Sequence, residues 1–409
     1  MLKVATNKLG SLFISLLIVY VVTKQLGVDE YGKFVVLTSI LATLNFLELG
    51  VQSYLKNELP IILEENKLEN VAQIVVSGIF VTCIPVALFM ILFVCFSGSL
   101  SPVFIEEKWS TLLMLFVFVV YTVKGVYVGL GENLLLQKAE FQSKLVSFFL
   151  VIVLLLTDES RVTVFVFTIY LPLVLAYVCY LRKIASRLRF DLKDVNFQAS
   201  FFEAWNLLKS SFHYFEIGLV MLLILGMFPM ILERLFNLRV AGAFGLYFKF
   251  YFIVVQVFKA LASDIWFSLR SSWSSRNSED FSNEVRKGKV LLLGFVITEM
   301  LLSSVLYYLI PKVFGVEFIS LSWLTFCCVL SVLFMIYSIY GYFLNSIDVF
   351  NIQRYVSYVG SFIVILSVLL VHVFSANLAV FQLIIIGTMV LITSVYVYVF
   401  EKKKYLLFA

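Results

Sequence analysis

The chain has 409 residues, of which 62% are hydrophobic and only 14% are charged, with a formal net charge of +5. Soluble domains are about 45–50% apolar and about 25% charged, so this composition excludes an ordinary water-soluble fold. The apolar stretches also lack the alternating pattern of outer-membrane barrel strands. The sequence therefore predicts an all-α, polytopic membrane protein.

Twelve transmembrane helices are predicted, because twelve apolar stretches reach or approach the roughly 20 residues that span a bilayer. In chain order they cover residues 6–26, 34–55, 72–97, 110–130, 139–157, 162–181, 208–231, 240–266, 289–310, 319–344, 355–374 and 377–400. A basic polar segment, 182–205, separates two halves of six spans each. We expect two six-helix lobes, 1–181 and 206–409, around a central cavity, because paired repeats of this kind are a transporter architecture.

The distribution of basic residues predicts the orientation of the chain. Of the 31 Lys and Arg residues, 21 lie on the side of the N-terminus and 7 on the opposite side, and the other 3 lie inside spans. Basic residues resist translocation, so both termini are predicted to be cytoplasmic. The first span lacks a small-residue cleavage site and is read as uncleaved.

Cysteine and histidine usage excludes several kinds of site. All five cysteines lie in apolar runs, which argues against a disulfide framework. The two histidines, His213 and His372, have no metal-binding spacing, so no metal site is expected. A glycine-rich phosphate loop is also missing, so the chain is not predicted to hydrolyse a nucleotide.

The two halves share a weak internal repeat. Gly32-Lys33-Phe34 begins the second span, and Gly242-Ala243-Phe244 begins the eighth, 210 positions later. Four short elements resemble those of the Wzx-type polysaccharide flippases, in the multidrug/oligosaccharidyl-lipid/polysaccharide exporter (MOP) superfamily. They are Leu26-Gly27-Val28-Asp29-Glu30-Tyr31-Gly32-Lys33-Phe34, Glu48-Leu49-Gly50-Val51, Ile231-Leu232-Glu233-Arg234 and Ala241-Gly242-Ala243-Phe244-Gly245-Leu246-Tyr247. Ala241 departs from the bulkier residue, Tyr31, found in the first half.

This resemblance implies a flippase of the bacterial inner membrane. It would move an undecaprenyl-pyrophosphate-linked oligosaccharide, an O-antigen or capsule repeat unit, to the periplasmic leaflet by alternating access. The implied partners are the lipid-linked glycan, the bilayer, a polysaccharide polymerase and a chain-length regulator, with no nucleic acid. No cofactor is implied beyond H⁺ or Na⁺ coupling. The alternatives are a drug or small-molecule antiporter of the same superfamily and a membrane-embedded glycan polymerase. The polymerase is disfavoured because the longest outer loop, about 98–109, is short.

Cations inside or beside the spans are the candidate substrate-binding residues, because a charge deep in a membrane costs about 2.5–3.5 kcal/mol or more. Lys249 is deepest, and it either attracts pyrophosphate, pairs with a carboxylate or snorkels. Lys124 is read as a cavity cation or a snorkelling anchor, and Gln256, seven residues after Lys249, extends the same face. Arg234 either receives the head group on the exit side or pairs with Glu233.

Acidic groups in or at the ends of spans are the candidates for ion coupling or gating. His213 and Glu216 are three residues apart and share a helix face, where they form either a titratable pair or a structural hydrogen bond. Glu299 lies about ten residues into the ninth span, so it must be protonated, paired across the bundle or hydrated. Glu48 belongs to one of the family-like elements, and Asp264 lies near a cytoplasmic helix end.

Overall fold

A computed structural model describes residues 2–46, 50–52, 55, 59, 68–95, 102–121, 124, 126, 127, 130, 132–187, 197–274, 276–314, 321–347, 349–374 and 377–406. Helices account for nearly all of this part of the chain, and no strand occurs in it. The prediction of an all-α polytopic fold is confirmed.

Thirteen α-helices follow one another along the described residues. They are α1 (Leu2–Phe46), α2 (Leu68–Cys95), α3 (Pro102–Glu106), α4 (Lys108–Tyr121), α5 (Asn133–Leu156), α6 (Val162–Arg187), α7 (Phe197–Met221), α8 (Phe228–Leu235), α9 (Leu238–Ser274), α10 (Ser278–Phe314), α11 (Leu321–Ser346), α12 (Phe350–Phe374) and α13 (Leu378–Leu406). A single π-helical turn, Leu222–Gly226, joins α7 to α8.

Each of the twelve predicted spans overlaps at least one of these helices. Among the described residues, nine helices are long and apolar enough to cross a membrane, or ten if α7 and α8 form one bent span. The helix α1 is counted once, although Gly27 (φ 74°) divides it into the first two predicted spans. Glycine suits this kink because a side chain strains a backbone at positive φ. The fourth predicted span overlaps the 14 residues of α4, and the described residues 124, 126 and 127 beyond it are also helical.

The seventh predicted span is bent. The segment Phe215–Gly226 and the helix Phe228–Leu235 meet at 46°. The bend follows the π-helical turn and lies immediately before Pro229, which cannot donate a backbone hydrogen bond. This break in the helical hydrogen bonding explains why a continuous apolar stretch does not form a straight helix.

The chain divides into two compact units, Met1–Gly242 and Ala243–Ala409. In the first unit, α1 packs along α5, α5 along α6, and α2 along α7. In the second unit, α11 packs against α10 and α13, and α12 packs against α13. The lobes predicted from the sequence on either side of residues 182–205 stay a prediction, and the boundary between the compact units falls later, within α9.

The two repeat glycines meet inside the first unit. A Cβ atom built on Gly32 would lie 2.1 Å from the carbonyl oxygen of Leu238, and one built on Gly242 would lie 3.0 Å from the carbonyl oxygen of Val28 and 3.1 Å from the Cα of Gly32. Backbone therefore touches backbone where α1 meets the start of α9. Only glycine permits an approach this close.

A short turn outside the membrane joins α5 to α6. The amide of Gln25 donates to the carboxylate of Asp158 at 2.9 Å, which ties this turn to the end of the first span. Arg161 donates to both carboxylate oxygens of Glu159, at 2.9 and 2.8 Å. These hydrogen bonds lower the pKa of Glu159 to about 2, so the turn carries a fixed ion pair at neutral pH.

Candidate functional site

Lys249 lies near the middle of a membrane-length helix. It is eleven residues after Leu238 and thirteen before Ala262, the ends of the apolar part of α9. At 1.5 Å per residue these separations are roughly 16 and 20 Å. Its side chain is exposed, and within the described residues no hydrogen bond or ion pair engages its ammonium group. No described residue compensates this positive charge, which lies at a depth where charges are rare.

Another face of α9 is occupied by aromatic packing. Phe244, Phe248 and Phe252 stack at successive helical turns, with ring centroids 5.0 and 5.2 Å apart. Phe252 also packs on Phe334 of α11. Lys249 lies outside this aromatic face. Gln256, half-buried and two turns along, shares its side of the helix. The predicted polar stripe of Lys249 and Gln256 is therefore compatible with the packing of α9.

Lys124, by contrast, is paired within the first unit. Its ammonium nitrogen lies 2.9 Å from Oε1 of Glu140 and 4.0 Å from the ring centre of Tyr121. The hydroxyl of Tyr177 donates to the same Glu140 oxygen at 2.9 Å. Glu140 is only 7% exposed. The charge of Lys124 is thus matched by a buried carboxylate, and its role as a cavity cation stays a prediction.

Glu140 and Tyr177 are functional candidates that were not predicted from the sequence. Glu140 lies at the start of the fifth predicted span, and Lys124 lies near the adjoining end of the fourth. Opposite charges at the neighbouring ends of consecutive spans are a usable signal, because a short connection brings those ends together. Tyr177 gave no such signal, since tyrosines are frequent along the chain.

We expect the Lys124–Glu140 pair to stabilise the first unit. Either Glu140→Gln or Lys124→Met should lower the free energy of unfolding by about 2 kcal/mol, because a hydrogen bond to a charged group contributes about 1.5–3 kcal/mol. The double variant should lose less stability than the sum of the two single losses. Each single variant leaves one charge without its partner, whereas the double variant removes both charges. Chemical unfolding of the four proteins in detergent micelles measures this coupling.

The matched control for that cycle is Tyr177→Phe, which removes one donor to Glu140 and keeps the ion pair. It should cost less than either charge substitution. Strictly additive losses across the cycle would contradict the assignment of Lys124 as the partner of Glu140.

Glu299 is the most deeply enclosed acid among the described side chains of the second unit. Its side chain is 0% exposed, and both carboxylate oxygens are without a hydrogen-bond partner among the described residues. It faces inward from α10, a helix whose neighbouring positions Ile297, Met300 and Leu301 are exposed apolar residues. No ion pair between Glu299 and a Lys or Arg occurs among the described residues, and its role in ion coupling stays a prediction.

The remaining predicted residues are dispersed. Arg234 is exposed in the last turn of α8, where a cation interacts favourably with the helix dipole. Lys259, a second lysine of α9 that was not among the predicted residues, lies 5.2 Å from the ring centre of Phe334. Glu216 is half-buried in α7.

Glu48 and the side chains of His213 and Asp264 lie outside the described residues. Across the described ranges, no group of three or more His, Cys, Asp or Glu side chains gathers in a metal-binding arrangement.

Neither a protein-family model nor a curated protein sequence matches this chain. Solved structures do match, over nearly its whole length. One is an inward-facing multidrug resistance MATE family transporter of the MOP superfamily, with TM-score 0.76, 12% identity and 98% of each chain covered. The chain has the fold of the MATE transporters.

Two further MATE transporters are similar in fold over nearly the whole length of this chain. ClbM, solved in complex with Rb⁺, has TM-score 0.60 at 14% identity and covers 97% of this chain and 92% of its own. VcmN of Vibrio cholerae, in its bent form, has TM-score 0.57 at 13% identity and covers 100% of both chains. At these identities the likeness concerns the MATE fold alone, so the substrate has to be argued from this chain's own residues.

Proposed function

We propose that this protein is a membrane transporter that flips an undecaprenyl-pyrophosphate-linked oligosaccharide from the cytoplasmic to the periplasmic leaflet of the bacterial inner membrane. The MATE fold supports a transporter within the MOP superfamily. The finer assignment rests on one observation, which is the exposed ammonium group of Lys249 near the middle of the apolar part of α9, with no partner among the described residues. A pyrophosphate-linked sugar cannot cross hydrocarbon unless a hydrated, cationic path receives it.

Lys249 and Gln256 would contact the head group during its passage, whereas the polyprenyl tail stays in the bilayer. Arg234 is proposed to receive the phosphates on the exit side. In this proposal both termini are cytoplasmic, and a polymerase with its chain-length regulator takes over the product. The chain itself performs no bond-making step.

The second candidate function is an antiporter of cationic drugs. The multidrug transporters among the similar structures favour it, as does the buried carboxyl group of Glu299. Lys249 argues against it, because a cation that no described residue pairs would repel a cationic substrate that passed it. The two candidates therefore differ in the sign of the charge that the path must accept.

Complementation in two hosts distinguishes the candidates. We expect the gene to restore surface polysaccharide in a strain that lacks its own flippase but still synthesises the lipid-linked repeat unit. We expect no rise in drug resistance in a strain that lacks its drug exporters. The opposite pattern would replace the flippase assignment with the antiporter, and membrane abundance measured in both hosts serves as the control.

A further inference from the structure

A groove of about 510 Å³ runs between α5 and α6 on the surface of the first unit. Four of the apolar side chains that line it are exposed, namely Val146 and Leu150 of α5 and Leu171 and Leu175 of α6. Both helices are long and apolar enough to cross a membrane. Exposed apolar surface that forms a groove is typical of a binding site, and at this depth the surrounding medium is lipid.

Small residues and a proline leave the space between the two helices. Ser143 and Ala176 line the groove, and their side chains fill little of it. Pro172 lies inside α6 and also lines the groove, and a proline within a helix removes a backbone hydrogen bond and bends the helix. The Ser147 hydroxyl donates to the carbonyl oxygen of Ile169 at 2.9 Å, which holds the helices together beside the groove. The depression is therefore part of how α5 and α6 pack.

One end of the groove is polar and basic. The hydroxyl of Tyr180 donates to Oε1 of Gln142 at 2.7 Å, and Gln142 lines the groove. Lys138 precedes Gln142 by four residues and so shares its face of α5, whereas Arg182 follows Tyr180 by two residues in α6. Both cations are exposed, and within the described ranges no hydrogen bond or ion pair engages either of them. Two unmatched positive charges thus lie near one end of an apolar groove.

Acidic side chains do not neutralise this basic end. Glu140, the acid closest to Lys138 in the sequence, is buried and bonded to Lys124 and Tyr177 instead. Among the described residues, no Asp or Glu lines the groove. A ligand with a negative head and an apolar chain would therefore be attracted at one end and meet no acidic side chain along the wall.

We propose that the groove between α5 and α6 binds an anionic phospholipid, with an acyl chain against the leucines and the head-group phosphate beside Lys138 and Arg182. Basic pockets between transmembrane helices on the cytoplasmic side bind anionic head groups, and the predicted orientation places this end on that side. The proposal concerns a resident lipid of the bilayer, so it does not depend on the proposed transport function.

The two cations favour an anionic lipid over a zwitterionic one. Phosphatidylcholine could place its chains in the same groove, but its quaternary ammonium group would lie near Lys138 and Arg182 and be repelled. Phosphatidylglycerol carries a phosphate without a compensating cation. The head group therefore decides the selectivity of the site, and the groove decides its location.

Native mass spectrometry of the full-length protein in detergent micelles tests this selectivity. Phosphatidylglycerol should be retained more tightly than phosphatidylcholine with the same acyl chains. Lys138→Gln combined with Arg182→Gln should weaken phosphatidylglycerol binding about thirtyfold, because each basic residue near an anionic lipid contributes about fivefold. Lys287→Gln combined with Lys312→Gln is the matched control, since both are exposed lysines of α10. This pair should leave phosphatidylglycerol binding unchanged.

A second variant tests the groove itself. Val146→Trp should weaken the binding of phosphatidylglycerol, because the indole ring occupies the space of the acyl chain. Val390→Trp is the control, because Val390 of α13 is similarly exposed, 45% against 49% for Val146, and belongs to the second unit. Full phosphatidylglycerol binding by Val146→Trp would overturn the proposal, because the cations would then hold a phosphate without any chain in the groove.

The remaining outcomes also decide the assignment. Equal retention of the two phospholipids by wild type, or unchanged phosphatidylglycerol binding by the Lys138 and Arg182 double variant, would overturn the anionic site. Displacement of bound phosphatidylglycerol by equimolar polyprenyl phosphate would overturn it as well and assign the groove to an isoprenoid chain. Melting temperatures in phosphatidylcholine micelles check that each variant folds. The double glutamine variant alters only exposed side chains, so it tests the site even if Val146→Trp does not fold.

Discussion

Replacing Gly32 with alanine should cause the largest loss of stability of any single methyl addition in the described helices. The added carbon would lie 2.1 Å from the carbonyl oxygen and 2.8 Å from the carbonyl carbon of Leu238. Both are backbone atoms, so no side-chain rotation relieves the overlap. Separating α1 from α9 would break their packing, and we expect a loss of about 4 kcal/mol or more, at the upper end of single substitutions.

A series of glycine-to-alanine variants makes this prediction quantitative. Gly242→Ala should be less severe, because its Cβ would approach backbone atoms no closer than 3.0 Å. Gly294→Ala is the matched control, since a Cβ there has nothing within 4 Å and alanine favours a helix. Thermal unfolding in detergent should rank Gly294→Ala, Gly242→Ala and Gly32→Ala in order of falling stability. Equal melting temperatures would show that α1 and the start of α9 are not in this contact.

The same glycine pair shows which structural features can be predicted from the sequence alone. The 210-residue offset between Gly32 and Gly242 indicates equivalent positions in two halves of the chain. It does not indicate that the two positions touch, because a repeat specifies similar local structure and leaves the packing between the repeats open. The contact becomes visible only when the backbones are placed together.

Helix positions were the most predictable feature. Each predicted span overlaps a helix because a long apolar segment in a bilayer has to satisfy its backbone hydrogen bonds internally. Local irregularities were less predictable, because the 46° bend between α7 and α8 depends on a π-helical turn within a continuous apolar stretch.

Partners of buried charges were the least predictable feature. Lys124 and Lys249 look alike in the sequence, since each is a lysine within an apolar span. The structure distinguishes them, because Glu140 lies 2.9 Å from Lys124, whereas no described residue pairs with Lys249. Depth along a helix can be counted from the sequence. The identity of the side chain facing a charge depends on the packing of other helices.

Substitution of Lys249 should have the largest effect on transport. At a separation of 4 Å and an effective dielectric constant near 20, one pair of opposite unit charges is worth about 4 kcal/mol. That energy corresponds to about a thousandfold in binding. Lys249→Ala should therefore abolish detectable surface glycan in a flippase-deficient host. Lys249→Arg should retain part of it, because the positive charge remains although its geometry changes.

Charge reversal provides the strongest arm of this experiment. Lys249→Glu should be the most impaired variant, because the new carboxylate repels the pyrophosphate that the lysine attracts. Lys312→Ala is the control, since Lys312 is an exposed lysine in the last turn of α10. Membrane abundance has to be equal for all variants before glycan display is compared.

The order of the variants separates a substrate role from a structural one. If Lys249 served only to anchor or pack α9, the neutral alanine side chain would be tolerated, because removing an unpaired charge from the membrane interior relieves an energetic cost. Wild-type glycan display by Lys249→Ala at equal abundance would therefore assign Lys249 to such a role. The search for the substrate cation would then move to Lys124, whose pairing with Glu140 would have to open during transport.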